Sequence, residues 1–287
     1  MKTYRLRANA KINIGLNILR KKENGYHELD MTMLPISYYD MLTLRVFSES
    51  GNLRIFCRNK SIPTDKKNIL FKVYEKFYEK TKIKPLKIKI SLKKRIPPEA
   101  GLGGGSSDGT FFLKFLNSYH AYPLSLEELF ELASQIGADL PFFLNNVSAR
   151  VQGIGDKMIP FQNKSRVQVL ILKPTFGFST KEVYKLSDLP REKKVADIFS
   201  IIKALEEDRI EQEEDKIWND LEQALLSHKT ELIMFKEKIE SFTRKKAFLT
   251  GSGSAYYIFL KKKEAFKIQR KCKKYFKDCE VKLCSFL

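Results

Sequence analysis

Four glycines in five positions dominate the segment Ile96-Pro97-Pro98-Glu99-Ala100-Gly101-Leu102-Gly103-Gly104-Gly105-Ser106-Ser107-Asp108. Glycine tolerates positive φ and lets a backbone approach a ligand closely, with its N–H groups turned inward. A helix that starts near Ser106 would add free N–H donors and a partial positive charge, a combination that suits phosphate. Ser106 and Ser107 can cap that helix, or offer hydroxyls to phosphate and Mg²⁺. No Lys-Ser/Thr pair follows the glycines, so this is not a Walker A loop, and the third glycine is misplaced for a dinucleotide fingerprint. The plain alternative is a tight strand-to-helix turn capped by Ser-Ser-Asp, although most turns need one or two glycines.

Other residues could do chemistry. Asp139 is a lone carboxylate in an apolar loop, next to Leu140-Pro141, where a helix is expected to begin. It could equally be a helix cap. Lys11 and Asn13 share one face of an N-terminal strand, where lysine is ordinarily a solvated residue. A second glycine turn, Gly251-Ser252-Gly253, lies near the C-terminus. Cys57, Cys272, Cys279 and Cys284 and the histidines His27, His120 and His228 fit no zinc or redox spacing, so the cysteines read as reduced thiols.

The elements that must position these groups can be read from periodicity. Residues 4–19 alternate, with Ala10, Ile12, Ile14, Leu16 and Ile18 toward a core and Lys11, Asn13 and Asn17 opposite, which predicts a strand. Further strands are expected at 41–47, 53–57 and 86–92. Helices are expected at 68–81, 106–118 and 126–136, the last opened by the capping box Ser125–Glu128. In the second half, strands are predicted at 167–172, 247–249, 255–260 and 280–286. Helices are predicted there at 180–187, 194–207, 216–226, 229–241 and 262–276. This pattern predicts an α+β fold of two lobes, residues 1–160 with the glycine loop and residues 161–287.

The 287 residues carry a formal charge of +19, with 43% hydrophobic and 30% charged residues. Such an excess fits a nucleic-acid surface, anionic ligands, or lysines filling solvated faces, and does not choose among them. The opening MKTYRLRANAKINIGLNIL is broken by Lys, Arg and Asn, unlike a signal peptide, and no stretch is long enough to span a membrane. A cytoplasmic protein is expected.

Taken in order along the chain, the polar-faced first strand, the Pro-x-x-x-Gly-Leu-Gly-Gly-Gly-Ser-Ser-Asp loop and Leu249-Thr250-Gly251-Ser252-Gly253-Ser254-Ala255 resemble the three motifs of GHMP kinases. That resemblance implies ATP and Mg²⁺ as cofactors and a two-lobed GHMP kinase fold. Its N-terminal lobe would be like the second domain of ribosomal protein S5, and its C-terminal lobe a ferredoxin-like α/β unit. It implies that Pro97, Pro98, Glu99, Ala100, Gly101, Leu102, Gly103, Gly104, Gly105, Ser106 and Ser107 wrap the nucleotide phosphates.

Further segments resemble the members that phosphorylate a cytidine diphosphate-linked methylerythritol for isoprenoid synthesis. These are Ala10 to Leu16, Gly25-Tyr26-His27-Glu28-Leu29, Gly137-Ala138-Asp139-Leu140-Pro141-Phe142-Phe143, Gly153-Ile154-Gly155-Asp156 and Asn219-Asp220-Leu221-Glu222. By that resemblance Asp139 is the catalytic base, and Lys11 lowers the pKa of the alcohol and orients it. Asn13 would bond the polyol, and Gly251, Ser252 and Gly253 would line the substrate site. Tyr26 and Tyr184 would stack on cytosine and His27 read its edge, with Thr180 nearby. Glu99, Ala100, Gly109 and Asp156 depart from the family pattern, and Glu99 is expected to point away from the phosphates. The resemblance implies two small-molecule ligands, neither nucleic acid nor membrane as partner, and a monomer or weak homodimer. The alternatives are a homoserine- or mevalonate-type kinase and a basic RNA-binding protein.

Overall fold

The computed structural model describes residues 1–23, 25–188 and 194–287. It contains two compact units that interleave along the chain. Unit 1 comprises residues 1–10, 38–96 and 103–146; unit 2 comprises 11–37, 97–102 and 147–287. Two long strands, β1 (Lys2–Lys21) and β2 (His27–Ser50), pair with each other, and each is divided between the units.

In unit 1 the second half of β2 pairs antiparallel with β4 (Leu86–Lys93), through Leu42↔Leu92 and Leu44↔Ile90. Strand β3 (Leu53–Cys57) runs parallel to β4, with Ile55 opposite Ile90. Alternate residues Leu42, Leu44, Ile88 and Ile90 form one apolar face, as period-two spacing requires. Against them lie Val73 and Phe77 of α1 (Ile69–Thr81) and Phe112 and Leu116 of α2 (Gly104–Tyr119). Leu129 and Leu132 of α3 (Leu126–Ile136) and Leu140 and Leu144 of α4 (Leu140–Asn145) complete this core. Burying one such side chain stabilises by about 1.5–3 kcal/mol. Asn68 caps α1 by accepting from Leu70 N, and the Ser125–Glu128 capping box opens α3 as expected.

Unit 2 holds the first half of β2 paired antiparallel with β5 (Ala149–Gly153), which in turn pairs with β6 (Lys157–Pro160). Its second sheet has four strands in the order β10 (Glu280–Ser285), β7 (Gln168–Lys173), β9 (Tyr256–Leu260) and β8 (Phe248–Leu249). Helices α5 (Thr180–Ser187), α6 (Ile198–Glu206), α7 (Asp220–Leu226), α8 (Thr230–Thr243) and α9 (Lys262–Tyr275) complete it. Mixed α and β elements in two sheets agree with the α+β expectation.

Three differences from the sequence reading have physical reasons. The polar face of β1 is not wet: Lys11, Asn13 and Asn17 are each less than 5% exposed, so both faces of the strand are buried. The short strands β5 and β6 carry too few apolar residues to announce themselves. Helices α6 and α7 begin later than periodicity suggests, because Asp197 and Asn219 cap them through Ser200 N and Leu221 N.

Candidate active site

Unit 2 gathers a polar cluster around the glycine turn that precedes β9. Lys11 Nζ donates to Asn13 Oδ1 at 2.7 Å, two places along the same strand face. The backbone N–H of Asn13 donates to Thr250 Oγ1 (3.0 Å), and that hydroxyl donates to Gly101 O (3.3 Å). Lys11 N donates to Leu102 O, Ser254 N to Glu99 O and Ala255 N to Ala100 O. Residues 97–102 are therefore held between β1 and the turn 250–255 by backbone bonds.

Packing at the turn leaves little room for side chains. A Cβ on Gly101 would fall 1.9 Å from Thr250 O, and Gly101 adopts φ +70°. A Cβ on Gly251 would lie 3.1 Å from Asn13 Oδ1, 3.3 Å from Lys11 Nζ and 3.4 Å from Gly101 O. Gly101 is thus demanded by close approach as well as by φ, whereas Gly251, at φ +54°, is favoured by its backbone conformation and by tight but not excluded contacts. Thr180 Oγ1 and Ser252 Oγ share a hydrogen bond of 3.2 Å, bringing the start of α5 to the same turn.

Asn219, Asp220 and Glu222 supply the support behind it. Asn219 Nδ2 donates to Leu249 O and Gly251 O, each at 2.9 Å. Asp220 Oδ2 accepts from Ile18 N (2.7 Å), and Glu222 Oε2 accepts from Leu249 N (3.2 Å). Burial raises the Glu222 pKa, opposed by Lys236, whose Nζ lies 2.6 Å from Oε1. These residues carry the shape of the turn, a role that sequence spacing left unassigned.

Of the expected base-reading residues, His27 and Tyr184 meet: their rings stack at 5.0 Å with a 29° interplanar angle. Tyr26, next to His27 in sequence, is 58% exposed. Glu99 sits at φ +49°, and its Oε2 lies 2.9 Å from where a Gly177 Cβ would be. Asp156 Oδ1 accepts from Ile154 N at 2.9 Å, closing a local turn.

Unit 1 holds the remainder of the glycine loop. Gly103, at φ +67°, is the N-cap of α2, and no side chain caps that helix. The serines therefore stand in the first turn rather than at the cap. Asp139 is the N-cap residue of α4, but its side chain makes no capping hydrogen bond, so helix capping is not its use. Beneath α2 lies a buried trio: Lys94 Nζ pairs with Asp40 and with Asp108 Oδ2 (2.9 Å). Asp40 Oδ1 also accepts from Arg95 N and Ile96 N, the residues that leave β4 for the loop. Burial drives the Asp108 pKa up to about 7, opposed by Lys94 and aided by Asp40. Burial also opposes the charge on Lys94, but Asp108 and Asp40 outweigh it and raise its pKa.

Residues 68–146 match the GHMP kinases N terminal domain. The chain is 43% identical to 4-diphosphocytidyl-2-C-methyl-D-erythritol kinase of Fusobacterium nucleatum subsp. nucleatum, covering 98% of this chain and 96% of that one. It belongs to the 4-diphosphocytidyl-2-C-methyl-D-erythritol kinase family. The kinase of the same name from Caldicellulosiruptor bescii is 34% identical over 96% of each chain. A crystal structure of 4-(cytidine 5'-diphospho)-2C-methyl-D-erythritol kinase superposes with a TM-score of 0.81 at 25% identity, covering 99% of both chains. Homoserine kinase from Cytophaga hutchinsonii shares the fold alone, with a TM-score of 0.72 and 16% identity. The fold is that of GHMP kinases.

As an ATP-dependent kinase family, it requires a phosphate-binding loop, and the residues here fit one. The positive-φ glycines Gly101 and Gly103 bend the chain, and the first turn of α2 has no side-chain cap. Ser107 Oγ is buried there without a hydrogen-bond partner, a donor set that suits phosphate or a hard cation. Among the described residues no group of three or more His, Cys, Asp or Glu could hold a metal ion. No helix among them is long and apolar enough to cross a membrane.

Proposed function

We propose that this chain transfers the γ-phosphoryl group of ATP to the 2-hydroxyl of 4-diphosphocytidyl-2-C-methyl-D-erythritol, as a cytoplasmic enzyme acting on two soluble ligands. The observation that carries the reading is the buried Lys11–Asn13–Thr250 cluster packed against Gly101 and Gly251. Lysine and asparagine are seldom kept less than 5% exposed, and here both lie beside a glycine loop. They suit an alcohol acceptor next to phosphates.

In this reading Asp139 receives the proton of the acceptor hydroxyl. Lys11 orients that hydroxyl and offsets developing negative charge, and Asn13 hydrogen-bonds the polyol. Pro97 to Ser107 hold the phosphates through backbone N–H groups, with Gly251, Ser252 and Gly253 shaping the acceptor side. Ser106 and Ser107 would hold Mg²⁺, which when bound neutralises charge on the phosphate oxygens. Tyr26, His27, Tyr184 and Thr180 are assigned to the cytidine end.

A coupled assay of ADP release tests the reading with three alcohols: the cytidine diphosphate conjugate of methylerythritol, homoserine and mevalonate. Saturable turnover is expected with the first alone. Turnover with homoserine or mevalonate, and none with the cytidine conjugate, would overturn it.

A further inference from the structure

His27 is held from two sides within unit 2. Its side chain is 8% exposed, and Nε2 lies 2.6 Å from Asp188 Oδ1. The Tyr184 ring covers one face of the imidazole. Asp188 caps the C-terminus of α5, four residues after Tyr184, so one short helix end delivers both contacts. The second carboxylate oxygen is taken as well: Lys21 Nζ donates to Asp188 Oδ2 at 2.5 Å.

This arrangement constrains hydrogen placement. An ionised carboxylate only accepts, and burial of Asp188 is outweighed by its bonds to Lys21 and His27, which hold its pKa below the usual range. His27 Nε2 must therefore carry a hydrogen. One ring N–H satisfies Asp188 Oδ1, since Lys21 Nζ takes Oδ2. In the neutral ring the remaining nitrogen, Nδ1, is then an acceptor.

We infer that Asp188 is a specificity-determining residue for the nucleobase, because it fixes the His27 hydrogen on Nε2 and leaves Nδ1 as an acceptor for the exocyclic amino group of cytosine. Uracil carries a carbonyl oxygen at the same ring position, and two acceptors facing each other repel. The inference rests on the reading that His27 faces the cytidine end of the substrate. Asp188 acts through His27 and touches no reacting atom.

The test compares CDP and UDP binding by calorimetry at pH 8 in the full chain, for wild type, Asp188→Asn and Asp188→Glu. Wild type should prefer CDP by about 10-fold or more, in line with discrimination by a misplaced donor or acceptor. The amide of Asp188→Asn both donates and accepts, so either ring nitrogen can carry the hydrogen, and the preference should shrink to about 3-fold or less. Asp188→Glu should restore it. With the full cytidine substrate, Asp188→Asn should raise KM while kcat holds. ¹⁵N-labelled histidine, of which the chain has only three, should place the wild-type hydrogen on Nε2.

An unchanged CDP/UDP ratio in Asp188→Asn, or a wild-type hydrogen on Nδ1, overturns the inference. Failure of wild type to phosphorylate the cytidine conjugate would instead overturn the functional reading, so the two failures are distinct.

Discussion

Among single residues, Asp139 and Gly101 separate chemistry from shape. Asp139→Asn keeps size and hydrogen-bonding reach but removes the basic oxygen. If Asp139 takes the hydroxyl proton, kcat should fall by about 10²-fold or more while substrate affinity changes little. Near-wild-type turnover in a folded variant would move the load to Lys11 and the metal, since a loose transition state asks little of a base. His27→Ala should do the reverse, raising KM for the cytidine substrate with kcat retained. Gly101→Ala tests geometry. Its Cβ would strike the carbonyl of Thr250, a backbone atom that no rotamer change can move aside. Overpacking costs about 1–3 kcal/mol and the positive φ adds about 1 kcal/mol. The variant should melt several degrees lower and bind ATP at least about 10-fold more weakly. An unchanged melting curve would mean that the loop yields more freely than its backbone bonds imply.

Helix α2 starts where the glycine loop ends, and a buried trio of charged side chains lies beneath it. Asp40 ties the end of β4 to Lys94, and Lys94 ties Asp108 in the second turn of α2. Asp108 is an acid whose folded pKa, about 7, lies above its ordinary value of 3.8. The folded chain then binds this proton more tightly than the unfolded chain, so the contribution of Asp108 to stability is greatest below pH ~4 and falls as pH rises to ~7. Asp108→Asn removes that loss. Between pH 5 and pH 8 the wild-type melting temperature should drop further than that of the variant, by ~4 °C or more, as read by parallel thermal melts. Equal drops would show that Asp108 does not titrate between pH 5 and pH 8. The elements themselves were largely legible: β3, α3 and α5 fall on the residues that period and caps indicate. The ionic support was not legible, because Asp40 of β2, Lys94 just past β4 and Asp108 of α2 are far apart in sequence and each alone looks like a surface charge. The same limit hid the burial of Lys11, whose alternating strand reads as half-wet until residues far along the chain cover its second face.

Over the whole molecule, the positive charge that is most conspicuous in the composition explains little, whereas the path of the chain explains much. The chain passes between units after residues 10, 37, 96, 102 and 146, so unit 2 draws on both sides of position 160. Its dependence on residues 11–37 is specific. Leu16 N donates to Trp218 O at 2.8 Å and Ile18 N to Asp220 Oδ2 at 2.7 Å. Asn17 exchanges two bonds with the backbone of Ala196, giving to its O (3.0 Å) and accepting from its N (2.8 Å). At the other end Ser285 N donates to Ser37 Oγ and Leu287 N to Pro35 O. Ile12 and Ile14 are fully buried. A fragment of residues 161–287 would lose all these partners at once. Each lost hydrogen bond costs about 0.5–1.5 kcal/mol and each uncovered apolar side chain about 1.5–3 kcal/mol, against a net stability of only about 5–15 kcal/mol for a typical domain. The fragment alone should therefore show no cooperative thermal transition and poor amide dispersion by NMR. Co-expression with residues 1–160, which contain 11–37 and 97–102, should restore a single cooperative melt. A sharp melt of 161–287 by itself would establish that the second half folds independently and that β1 is bound to it only as an added strand.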